Sequence, residues 1–196
     1  MVDPRPKRRL DRGMKLMLCT LLALITAVIG ADSKPYKGKV YEIPGKIEAE
    51  HYDEGNPGVA YHDLDKKNHG ANYRGPTQVD IEKRPDASNG HGLGWTREGE
   101  WLNYTVEVQQ TGTYSLEIPV ASSKKGGVFH LAIEGKNITG PIQIPDTGGW
   151  QILKLLKIEK VKLTKGRQVI RVVMESKGPS GSTGDIDCFK FEKVQK

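Results

Sequence analysis

From Trp101 to Val108 the chain alternates: Leu102, Tyr104, Val106 and Val108 fall on one side, Trp101, Asn103, Thr105 and Glu107 on the other. A period of two is what a strand with one buried face requires, and a helix does not present it. The same pattern recurs downstream. Tyr114, Leu116, Ile118 and Val120 share a side, as do Phe129, Leu131 and Ile133, then Ile170, Val172 and Met174, and finally Phe189 and Phe191. Turn-forming stretches separate these runs: 122–127, Gly135-Lys136, 145–149 and the Gly/Ser/Pro loop 176–184. Upstream, residues 40–43 and 45–50 read as the first strands, whereas 52–74 has no sustained period and reads as a long surface loop. The glycine-flanked stretch around Trp95, leading into the strand at Trp101, reads as half of a hairpin. No stretch beyond the N-terminal apolar run shows a helical period over a dozen residues. Short strands about 8 to 12 residues apart with glycine-rich turns predict an all-β fold, a jelly-roll β-sandwich of two antiparallel sheets.

The N-terminus lies outside that pattern. Lys7, Arg8, Arg9, Arg12 and Lys15 precede a continuous apolar run from Leu16 to Gly30, followed by Ala31-Asp32-Ser33. This is the order of a secretory signal peptide, with cleavage expected after Gly30. The run is short for a membrane span, which needs about 20 residues, so membrane association is expected only if the leader stays uncleaved. Met14 offers an alternative start. Removing residues 1–30 takes the formal charge from +6 to +2, with 24 basic and 22 acidic side chains left, so no nucleic-acid partner is expected. It also removes Cys19 and leaves Cys188 as a lone thiol in a strand. The expected organisation is a leader over 1–30, an arm with the first strand over 31–44, and a module over 45–194.

The motif Gly94-Trp-x-x-x-Gly-Glu-Trp-Leu-x-Tyr-Thr-Val106 resembles the middle of a family 6 carbohydrate-binding module. Further matches are Tyr73 in Gly-x-x-Tyr-Arg, Trp150 in Thr-Gly-Gly-Trp-Gln, and Asp185-Ile-Asp-Cys-Phe-Lys-Phe191 near the C-terminus. The resemblance spans about 45–194 and implies a non-catalytic, secreted binder of polysaccharide of the β-glucan, xylan, cellulose or agarose type. It implies that Tyr73 and Trp150 face each other and sandwich a sugar ring. Sugars suit such a platform because their axial C–H faces stack on flat aromatic rings while a few polar groups meet the hydroxyls. The third partner in the family is an Asn; this chain has Asp185, which accepts hydrogen bonds but does not donate when ionised.

The resemblance also implies a structural Ca2+ held by Glu48, Glu50 and Asp187, with the loop around Asn72 contributing. Carboxylates converging on the end of a core need a cation, and calcium takes 6 to 8 oxygens. Trp95 and Trp101 stand apart from this ligand pair; Trp101, on the polar side of its strand, either covers a second sheet surface or is exposed, and the resemblance allows a second ligand site on that face. Two rival readings stand beside this one. A small hydrolase would use Glu98, Glu100, Asp53 or Glu54 as its acid pair, and a wall or matrix protein would bind another protein. Histidines 51, 62, 69, 91 and 130 lack zinc spacing, and no nucleophile or phosphate-loop motif is present. Asn103-Tyr-Thr and Asn137-Ile-Thr have the form of glycosylation acceptors, the second better placed beside a turn.

Overall fold

The computed structural model describes Met1 and residues 33–195, so the expected leader and Cys19 lie outside the described residues. Short strands β1 (Tyr41–Ile43), β2 (Gly45–Glu48), β3 (Tyr61–His62), β4 (Ile81–Lys83) and β5 (His91–Leu93) come first. The longer β6 (Trp101–Val108), β7 (Gly112–Ser122) and β8 (Val128–Ile133) follow. Then come β9 (Lys136–Asn137), β10 (Ile142–Gln143), β11 (Gly149–Leu163), β12 (Gly166–Ser176), β13 (Asp185–Ile186) and β14 (Cys188–Lys193).

They form two sheets of seven strands. One runs β1-β6-β12-β8-β10, with β3 also on β6 and β9 on β8. The other runs β2-β14-β7-β13-β5-β4, with β11 along the free side of β7. Every pairing is antiparallel except that of β1 with β6, where Tyr41 lies opposite Val106. The alternating apolar residues line the space between the sheets: Leu102, Tyr104, Val106 and Val108 from β6, and Tyr114, Leu116, Ile118 and Val120 from β7, are all buried. Tyr104 meets Phe189 of the opposite sheet edge to face at 5.5 Å and donates its hydroxyl to Ala49 O at 2.7 Å. Phenol burial therefore carries no unpaired polar atom.

One local expectation is corrected. β5 and β6 do not form a hairpin: β5 pairs with β4 and β13 in one sheet, and β6 belongs to the other. The glycine-flanked segment 94–100 crosses from sheet to sheet at one end of the sandwich, which lifts Trp95 out of either sheet. At the same end, loop 177–184 packs backbone to backbone on the β7–β8 turn. A Cβ on Gly178 would lie 2.1 Å from Gly126 O, so only glycine allows this approach.

Candidate functional site

At the end of the sandwich where β5 ends and β11 and β13 begin, a groove of about 360 Å3 is lined by Trp95, Trp150, Glu82, Arg97, Ser182 and Asp185, among others. That volume suits a small part of a larger ligand. Trp95 is 43% exposed and has a left-handed backbone (φ 49°), a conformation uncommon outside glycine and enriched at functional sites. The following residue anchors it. Thr96 Oγ1 donates to Gly184 O (2.6 Å), and Thr96 O accepts from Thr183 N (2.9 Å) and Ser182 Oγ (2.7 Å). Trp150 stands at the start of β11 behind the Asp146-Thr-Gly-Gly turn, where Thr147 Oγ1 accepts from Ser122 N and donates to the turn. Two rigidly based indoles thus share one open groove.

The floor is charged. Arg84 is fully buried and meets three carboxylates: its Nε and Nη2 fork onto Asp86 (3.1 and 2.9 Å), and its Nη1 donates to Glu82 Oε2 (3.1 Å) and Asp185 Oδ2 (2.8 Å). Gln151, next to Trp150, donates to the other oxygen of Glu82 at 2.7 Å. One guanidinium cannot neutralise three carboxylates. Burial, and then the Glu82 charge, push the Asp185 carboxyl up to about 8 against the pull of Arg84. Arg84 in turn is held above its ordinary value; burial opposes this, and Asp86, Asp185 and Glu82 outweigh it. Arg97 at the rim is paired with Asp65 at 3.1 Å.

The structure brings Trp150 and Asp185 together, but not Tyr73. The expected face-to-face pair of Tyr73 and Trp150 is therefore corrected: Tyr73 lines a different cleft, with Tyr36 and Arg74. Its hydroxyl bonds to His51 Nε2 (2.8 Å) and its ring tilts over His91 at 4.3 Å. The 52–74 loop folds back on the N-terminal arm and holds this ring in a cluster of its own. Trp95 takes the position beside Trp150. The residues missed from sequence are Trp95, Glu82, Arg84 and Arg97. Trp95 carries a readable signal, an aromatic among glycines and charges, which the hairpin reading hides.

Three of the four expected metal ligands, Glu48, Glu50 and Asp187, gather where β2 meets the start of β14. Oxygen atoms of Glu48 and Asp187, with Cys188 Sγ, lie within 4.8 Å of one another. Ser88 Oγ bridges Glu48 Oε2 (2.6 Å) and Asp187 Oδ1 (3.2 Å). Glu50 is fully buried; Asn89 donates to its Oε1 at 2.7 Å, and its Oε2 has no partner. Burial, with Glu48 and Asp187 adding to it and Asn89 opposing, pushes Glu50 up to about 7. An orphaned, buried carboxylate oxygen beside two more carboxylates fits a hard cation. Asn72 is exposed on its loop; the amide that reaches Glu50 belongs to Asn89.

Trp101 is half-buried under Arg171, whose guanidinium stacks 3.7 Å above the ring. Of the acids in the hydrolase reading, Asp53 accepts from Thr105 N and Oγ1 and from Ser33, and Glu100 accepts from Arg97 N and Leu64 N. Both brace loops. Asn103 is buried, with Nδ2 on Val59 O and Oδ1 taking Arg171 Nε, whereas Asn137 is exposed.

The profile of the carbohydrate binding module (family 6) matches residues 69–193. Among curated proteins, the clotting factor G alpha subunit of Tachypleus tridentatus is 32% identical over 81 residues, 40% of this chain and 12% of that protein. The β-agarase AgaA of Microbulbifer thermotolerans is 23% identical over 125 residues, 64% of this chain and 28% of that protein. The chain thus spans a minor part of either relative. A solved structure of a β-1,3-glucan-binding family 6 module from Bacillus halodurans superposes with a TM-score of 0.59 at 23% identity, covering 79% of this chain and 99% of that one. The chain is a member of carbohydrate-binding module family 6.

Proposed function

We propose that this chain is a secreted, non-catalytic polysaccharide binder whose ligand lies in the groove between Trp95 and Trp150. The observation that supports it most is the groove itself: two indoles on anchored backbones above the buried Asp185 and half-buried Glu82 carboxyls. A pyranose ring would lay its C–H face on the indoles while its hydroxyls meet Asp185, Glu82 and the rim at Ser182. The stacking contributes apolar burial, and the polar floor fixes ring orientation. β-Glucan is the first ligand class to test, since the Bacillus halodurans module binds β-1,3-glucan; xylan, cellulose and agarose follow.

Glu48, Glu50 and Asp187 would hold a structural Ca2+. When bound, it would supply the positive charge these carboxylates lack, where β2 and its following turn meet the link between β13 and β14. The leader over 1–30 would direct the chain out of the cell.

Retention of the chain on a panel of insoluble and soluble polysaccharides, beside Trp95→Ala and Trp150→Ala, tests the reading. Each tryptophan is expected to contribute roughly 2 kcal/mol or more, about a thirtyfold loss of affinity on truncation. Binding that survives both truncations moves the site to the Trp101 face. No binding to any glycan favours a protein partner.

A further inference from the structure

We propose that Arg84, clamped from below by Asp86, is a positioning residue for ligand binding: it fixes the Asp185 and Glu82 carboxyls in the groove floor. This rests on the glycan reading of the groove.

Arg84 is fully buried, does not line the groove, and its guanidinium hydrogen bonds all go to carboxylates. Its fork on Asp86 is bidentate, which fixes the guanidinium plane. With the plane fixed, the remaining nitrogen Nη1 has one direction, and it meets Glu82 and Asp185 together. Asp185 reaches Arg84 across 101 residues of sequence through Oδ2 alone. Its Oδ1 is left free of Arg84. It lies beside Gly94, where an added Cβ would sit 3.6 Å away. Glu82 is held from both ends, by Arg84 on Oε2 and by Gln151 on Oε1. The chain of contact runs from Asp86, outside the groove, through Arg84 to two groove carboxyls and on to the strand that carries Trp150. A sugar hydroxyl meeting Asp185 Oδ1 thereby meets an atom whose rotamer is set before binding, and pre-set polar groups lose less entropy on association.

Charge compensation alone would be a different role, and Arg84→Lys separates the two. Lysine keeps the charge but, as a point donor on a flexible stem, cannot hold a fork on Asp86 and reach two further carboxyls in one geometry. Asp86→Asn is the second variant. It weakens the clamp from outside the groove, and, with Asp86 partly exposed, leaves the fold in place if Arg84→Lys does not fold. Isothermal titration with a soluble β-1,3-glucan, then cello-oligosaccharide and agaro-oligosaccharide if the first gives no heat, reports Kd and the fraction of competent sites separately.

The expected result is a Kd raised about tenfold in Arg84→Lys, roughly 1.4 kcal/mol, and raised by a smaller factor in Asp86→Asn, with about one site per chain in both. Kd unchanged in the folded variants would overturn the proposal, whether the number of competent sites falls or not, because a purely structural support lowers that number without touching Kd. If the unsubstituted chain binds none of the three glycans, the groove reading itself fails. If it binds and Trp150→Ala does not, an unchanged Kd in the Arg84 and Asp86 variants fails the positioning role alone.

Discussion

At the scale of single residues, what decides function is which side chains the fold denies to water. Glu100 is an example outside the groove. Burial, with the Asp63 charge adding and the backbone N–H groups of Arg97 and Leu64 opposing, pushes its carboxyl up to about 7 from an ordinary 4.5. A carboxyl raised on folding gives its full stabilisation below the unfolded value and loses it as pH rises through the folded value. Stability should therefore decline between about pH 4.5 and 7, and Glu100→Gln should flatten that decline by roughly 2–3 kcal/mol. Denaturant titrations at several pH values check this; equal slopes in both proteins would contradict it. Trp150 and Asp185 were legible in sequence because each sits at a turn-to-strand junction within a motif. Arg84 was not: in Ile-Glu-Lys-Arg-Pro it reads as a solvated charge, and only packing against β13, a hundred residues on, buries it. Tyr73 shows the converse, a motif match whose ring the fold spends on His51 and His91.

At the scale of elements, the strands follow from their alternation, because a period of two with one apolar face leaves few other structures. Their partners do not follow. The passage from β5 to β6 reads as a hairpin by its glycines, yet it crosses between sheets, and nothing in the local period reports such a crossing. Trp95 belongs to the groove for that reason. The turn after β4 is a second case: Ser88 and Asn89 lie on an unremarkable polar stretch, but they cap the carboxylates of β2, its following turn and the link between β13 and β14. If calcium completes that junction, Ca2+ at a hundred times its Kd should stabilise the fold by about 2.7 kcal/mol, raising Tm by roughly 5–10 °C. Glu50→Gln then carries opposite signs. With calcium present it should lower Tm, and with chelator present it should leave Tm unchanged or raise it, since a buried, unpaired carboxylate is removed. Equal Tm values for the two proteins in calcium would contradict the metal assignment.

At the scale of the whole molecule, the sandwich separates its tasks by end and edge. The groove opens at one end, while the N-terminal arm closes a different surface. Lys34 and Glu54 exchange two backbone hydrogen bonds (2.8 and 2.6 Å), Tyr36 stacks on His51 at 4.6 Å, and Arg74 lies between Tyr36 and Tyr52. Deleting residues 33–38 should therefore cost about 2 kcal/mol of stability and leave glycan affinity unchanged; a matching loss of affinity would couple arm and groove. The central claim is that Trp95 and Trp150, and not Tyr73, form the platform. Its most direct measurement is affinity for the best-retained polysaccharide in Trp95→Ala, Trp150→Ala and Tyr73→Ala, the last removing the ring itself. The prediction is a loss of about thirtyfold or more in each tryptophan variant and an unchanged Kd in folded Tyr73→Ala. Binding lost with Tyr73→Ala but kept with Trp95→Ala would contradict it.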